Sequence, residues 1–171
     1  MPTHAELFIA FSSGKLRQLA GRIEQCLEKL DDSQIWARGS DAENAVGNLV
    51  LHLCGNVRQW IGYGASGLDD IRERDREFET HGGISRAELS AKLSGTVSEA
   101  ASIIDTLPAA RLLERTKIQN YDTTVLEAVY HAVEHFAHHT GQIIFATKML
   151  TGSDLGFYRH LAKPAHTEKV P

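Results

Sequence analysis

Apolar residues recur at spacings of three and four along four separate stretches of this chain, and that periodicity constrains its fold more than any other feature. Across residues 4–31, Leu16, Leu19, Ile23, Cys26, Leu27 and Leu30 line one face of an amphipathic helix. A second stripe, Val46, Leu49, Val50, Leu53, Val57, Trp60 and Ile61, predicts a helix from about residue 43 to 63, ended by Gly62, Gly64 and Gly67. A third helix starts at Ser85, where Glu88 completes a capping box. Its stripe is Leu89, Leu93, Val97, Ala100, Ile104 and Leu107, and Pro108 stops it. The fourth starts near Thr124, with Glu127 as capping-box partner, and runs to Leu150, with Gly152 placed to close it.

Four long helices joined by connectors of about 10–20 residues predict an all-α fold, a four-helix bundle with long crossover connections. At 171 residues the chain reads as a single helical domain, with a core over about residues 5–150 and a C-terminal tail at 153–171 partly ordered by Phe157 and Tyr158. A loop of about 15 residues is expected after Pro108. The segment 66–84 alternates in charge and has two readings. It is a solvated linker with a short helical turn, or a lid in which Arg72, Arg74 and Arg76 serve an anionic ligand.

Charge and hydropathy narrow the function. Lys and Arg number 18 against 22 Asp and Glu, for a formal net charge of −4, so no nucleic-acid or anionic-membrane partner is expected. No apolar run approaches the length of a membrane span, and Leu7–Phe11 is too short for a signal peptide. Cys26 and Cys54 stand apart in helical stretches and read as reduced, buried thiols of a cytoplasmic protein.

Histidine is the unusual residue. There are nine, and His131, His135, His138 and His139 fall within nine positions. On a helical wheel with His131 at 0°, His135 lies at roughly 40°, His139 at 80° and His138 at −20°, while the apolar stripe spans roughly 100–220°. His131 and His139 are about 12 Å apart along the axis, too far for one ion with ligand bonds of about 2.1 Å. A metal would therefore take His135 with His139 or His131 with His135, and the stripe favours the first pair. His52, at the edge of the second stripe, is the candidate third ligand. Asn56, one turn from His52, and His131, one turn from His135, are candidates to orient a ligand or a bound water. The run His131-Ala-Val-Glu-His135 also matches the inverted zincin pattern with Glu134 as base, a short pattern that arises often by chance.

His52 within Asn-Leu-Val-Leu-His-Leu-Cys-Gly-Asn-Val-Arg-Gln-Trp, together with His135-Phe-Ala-His-His139-Thr-Gly-Gln-Ile, resembles the DinB/YfiT-like superfamily over about residues 5–150. The segment Arg72-Glu-Arg-Asp-Arg-Glu-Phe78 is similar to a subgroup of unknown function. The resemblance implies a four-helix bundle with a long crossover, usually a homodimer. It also implies a divalent metal, zinc or nickel, held by His52, His135 and His139. Some members of that superfamily are S-transferases or isomerases that use a low-molecular-weight thiol; others have no known activity.

Three neutral imidazoles leave a tetrahedral ion one open position, the arrangement of catalytic zinc. A thiol bound there is deprotonated, whereas a water has its pKa brought toward ~7. The first outcome fits a metal-dependent thiol S-transferase and the second a small metal-dependent hydrolase. A non-catalytic, stress-linked metal-binding or interaction dimer is the third reading. A thiol cofactor with carboxylates calls for cations, and Arg72, Arg74 and Arg76 are the candidates, each flanked by acidic residues.

Overall fold

Reciprocal capping opens four of the helices, three of the long ones among them. In the computed structural model, which describes residues 1–162, Thr3 Oγ1 accepts the Glu6 N–H while the Glu6 carboxylate accepts the Thr3 N–H, starting α1 (His4–Lys29). The same device starts α2 (Asp32–Ile35) at Asp31, α6 (Arg86–Asp105) at Ser85 and α7 (Val125–Thr151) at Thr124. Each box satisfies two N–H groups that the helix itself cannot. Gly152, at φ +64°, closes α7 in the left-handed conformation that glycine adopts without strain.

The second long helix departs from expectation at its end. α3 (Val46–Val57) continues into a π-helical segment, Arg58–Tyr63, and then into α4 (Gly64–Ser66). Gly62 and Gly64 therefore lie inside the helical run, and only Gly67, at φ +80°, ends it. Gly64 serves close packing: a Cβ there would overlap the Ile118 side chain.

Ile118 belongs to the second departure. The stretch expected to be a loop holds a 3-10 turn, Ala109–Leu113, and an antiparallel hairpin of β1 (Arg115–Ile118) and β2 (Tyr121–Thr124). The register pairs Arg115 with Thr124 and Ile118 with Tyr121. Gln119 and Asn120 form the two-residue turn, both at positive φ as a type I′ turn requires. Strands of four residues are too short for alternation to stand out, and Gln-Asn is a weaker turn signal than Asn-Gly.

The charged segment 66–84 is docked along α3 and carries a short helix, α5 (Arg74–Glu79). The Asn48 side-chain amide donates to the carbonyls of Glu77 (2.9 Å) and Thr80 (2.7 Å), and its oxygen accepts from Arg38 (2.7 Å). The Trp36 indole N–H donates to the Ile84 carbonyl (2.9 Å). Its ring fills the space over Gly47, where a Cβ would come within 2.7 Å of it.

α1 packs against α6 and α7, and α3 packs against the same two helices. α1 thus lies diagonally across from α3, and α6 from α7, so both of those connections cross the bundle. Leu16, Ile23, Leu53, Ile61, Leu93 and Phe136 fill the core between them. Each such side chain contributes about 1.5–3 kcal/mol through burial. Beyond α7, Phe157 and Tyr158 stack on the guanidinium of Arg22, at 5.6 and 5.3 Å; the rest of the expected tail, 163–171, lies outside the described residues. Among the described residues, no helix is long and apolar enough to cross a membrane.

Candidate metal centre

α3 and α7 turn one face toward each other, and each face carries polar side chains at i, i+4 and i+8. On α3 and its π-helical extension these are His52, Asn56 and Trp60; on α7 they are His131, His135 and His139. His52, His135 and His139 come together as a group that can hold a metal ion, with their ligating nitrogens within 4.8 Å of one another. Nε2 of His135 is 3.1 Å from Nε2 of His52 and 3.2 Å from Nε2 of His139. Two nitrogens bound to one ion at the tetrahedral angle stand about 3.4 Å apart. The separations therefore suit a shared ion with little movement.

The far sides of two rings select the needed tautomer. His139 Nδ1 lies 2.6 Å from Gln142 Oε1 and His52 Nδ1 2.9 Å from Glu77 Oε2, and an oxygen acceptor at that distance calls for a proton on Nδ1. A proton on Nδ1 leaves the lone pair on Nε2, facing the other rings. Burial, then the neighbouring His139, His52, His131 and Arg72, push His135 down to about 3, so it is neutral at ordinary pH. Burial also lowers His139, against the opposing hydrogen bond to Gln142. Neutral imidazoles are the ligand form.

Glu77 is the only buried acidic side chain among the described residues. Burial pushes its carboxyl up, but the Arg72 and His52 hydrogen bonds outweigh that and hold it below the usual carboxylate range. Arg72 donates to both carboxylate oxygens at 2.8 Å and to Gln59 Oε1 at 2.9 Å. Gln59 in turn donates to Asp70 (2.7 Å) and accepts from Gln119 of the hairpin turn (2.6 Å). A cavity of about 450 Å³ lies against Glu77, Arg72 and Gln59, between α3, the docked segment and α6; no histidine lines it.

The remaining sequence candidates have distinct settings. His131 stands outside the metal group, its ring 3.9 Å from that of Trp60 and 5.5 Å from that of His135. Asn56 is buried, and its Oδ1, like Trp60 Nε1 and His135 Nδ1, has no hydrogen-bond partner among the described residues. Buried polar atoms without a protein partner mark places for water or ligand. Arg72 points inward to Glu77, whereas Arg74 stacks on Phe78 at 5.1 Å and exposed Arg76 pairs with Glu73 at 2.9 Å. Glu77, Gln59 and Gln142 escaped the sequence reading. Glu77 sits in a run of alternating charge that reads as solvated, and only Gly55, the residue on α3 that makes room for it, hinted at a close approach.

A family model described as "Protein of unknown function (DUF1572)" matches residues 3–164. Among solved structures, the crystal structure of the conserved protein of locus from Enterococcus faecalis is similar, with a TM-score of 0.73 over 84% of this chain and 97% of that one. The two are 16% identical, so the likeness speaks to the fold alone. No curated protein matches the chain.

Proposed function

We propose that this chain, which belongs to the DUF1572 family of proteins of unknown function, holds a divalent metal, zinc or nickel, through His52, His135 and His139, and uses it to activate a low-molecular-weight thiol for transfer to an electrophile. The observation that carries this reading is the convergence of three imidazole Nε2 atoms, two of them held by acceptors at Nδ1. An ion bound there supplies Lewis acidity, lowering the pKa of a thiol or water that reaches its open position.

The protein's own groups favour the thiol. The carboxylate beside the histidines, Glu77, is engaged by Arg72 and His52, so it is not free to act as a general base toward water. A metal held by the three histidines would deprotonate a thiol outright but bring a water only to a pKa of about 7, so a thiol would depend less on such a base. In the transfer, the sulfur electron pair forms the bond to the electrophilic carbon, and the leaving group departs with its own pair. Asn56 and Trp60, on the same face as His52, offer an unpartnered acceptor and donor to orient what binds.

We also read the family as part of the DinB/YfiT-like superfamily and the protein as a homodimer. The sequence around His52 and His135 and the exposed Phe145 and Met149, one turn apart on α7, support that reading. Light scattering should return twice the chain mass of 18.9 kDa.

Elemental analysis of untagged protein, purified without a metal column, tests the metal. Near one ion per chain in the wild type and almost none in His52→Ala, His135→Ala or His139→Ala is the expected result. No uptake by the wild type, even with metal added, overturns the proposal. A cobalt-loaded sample should change its visible spectrum on adding a low-molecular-weight thiol. No change, and no thiol-dependent turnover on a panel of electrophiles, removes the transferase and leaves a metal-binding protein. Thiol-independent ester hydrolysis would make it a hydrolase.

A further inference from the structure

We propose that Glu77, clamped by Arg72 in space left by Gly55, is the positioning residue that fixes His52 as its Nδ1–H tautomer and so turns the Nε2 lone pair toward His135 and His139. This rests on the metal reading for its purpose, but not for its test.

Two groups compete for His52 Nδ1. Glu77 Oε2, an acceptor, lies 2.9 Å away, and Arg72 Nη2, a donor, lies 3.1 Å away. If Arg72 prevailed, Nδ1 would accept, the ring proton would sit on Nε2, and the lone pair would be lost to a metal. The guanidinium is instead engaged by the carboxylate, where Nη2 donates to Glu77 Oε2 and Nε to Oε1, both at 2.8 Å. An ionised carboxylate can only accept, so its contact with Nδ1 at 2.9 Å calls for a proton on that nitrogen. A lone pair on Nδ1 would face that carboxylate at 2.9 Å and be repelled by it, so the carboxylate, the nearer of the two groups, decides the tautomer.

The arrangement is built, not incidental. A Cβ on Gly55 would overlap Glu77 Oε1 and come within 3.1 Å of Arg72 Nε. The carboxylate fits against α3 only because residue 55 has no side chain. Asn48 holds the Glu77 backbone carbonyl, which sets where the side chain starts. Phe78 packs its ring 4.8 Å from the His52 ring and limits its rotation. His52 is thus held at its edge, its face and its Nδ1. Metal-binding histidines are oriented in this way by an acceptor at the second nitrogen, and loss of that acceptor lowers affinity ten- to a hundredfold.

The test uses the full chain, ¹⁵N-labelled and metal-free, in long-range ¹H–¹⁵N spectra that separate the two tautomers, with His52 assigned by its absence in His52→Gln. Wild-type His52 should be Nδ1–H. In Glu77→Gln the amide oxygen can still serve Arg72, which places the amide N–H₂ against His52 Nδ1. His52 should then shift to the Nε2–H form, and cobalt affinity should fall ten- to a hundredfold. Gly55→Ala, which pushes the carboxylate away without touching a ligand, should do the same. Alanine favours helix over glycine, so this variant keeps the test open if Glu77→Gln does not fold. Wild-type His52 found as Nε2–H, or both folded variants retaining the wild-type tautomer and affinity, overturns the proposal. If the wild type takes up no cobalt, the metal reading fails, and the tautomer spectra still decide the role of Glu77.

Discussion

Acidifying the metal-free protein should destabilise it through His135. Burial and the surrounding His139, His52, His131 and Arg72 hold this imidazole at about 3, against an ordinary 6.5. The unfolded chain takes up the proton as pH falls through about 6.5, and the folded chain does not until about 3. Between those values the unfolded state binds more protons, so stability falls as pH falls. The contribution is intact above about 6.5 and fully lost once pH has passed about 3. From pH 7 to pH 5 the unscreened shift corresponds to about 2 kcal/mol. His135 is only half-buried, and solvent screening reduces this to about 1 kcal/mol, or about 2–4 °C in Tm for a chain of this size. His139 and His131 are lowered by burial too and add to the effect. Urea unfolding at the two pH values, with a chelator present, measures it in the wild type and in His135→Gln. The variant should lose about 1 kcal/mol less stability than the wild type between pH 7 and pH 5. Equal losses would refute the assignment of the acid sensitivity to His135.

Three further outcomes follow from the packing. Asn48→Ala removes the side chain that holds the Glu77 and Thr80 carbonyls, and should lower stability by about 3 kcal/mol. Trypsin should then cut faster after Arg74 or Arg76; unchanged cutting would mean that other contacts dock the segment. Phe136→Ala opens a space in the centre of the bundle and should cost about 3–5 kcal/mol in urea unfolding, whereas a loss under about 1 kcal/mol would mean that the site collapses freely. Burial pushes the Cys54 thiol up to about 11, and raises Cys26 as well. Iodoacetamide at pH 8 should leave both unmodified in the native protein and label both in urea; rapid native labelling would contradict their burial.

The helices were legible because their signals are local. The Ser85–Glu88 and Thr124–Glu127 boxes and the closing Gly152 each act within one turn, and each stands where the sequence indicates. The hairpin was not legible, because four-residue strands carry too little alternation and Ile118 earns its place only by meeting Gly64 across the fold.

The histidines divide in the same way. That His135 and His139 share a helix face follows from 3.6 residues per turn, and the sequence determines it unaided. An apolar stripe says which side of a helix is buried, not which helix it meets. Only the tertiary structure sets α3 against α7 and brings the His52 ring to 3.1 Å from His135. It also decides that Glu77 and Arg72, two charges in a run that reads as solvated, turn inward while Arg76 stays outside. The physical reason is that their burial depends on partners distant in the chain: the ring of His52, the space at Gly55 and the amides of Asn48 and Gln59. No spacing rule along the chain records such partners, because a buried charge is stabilised by what surrounds it in space.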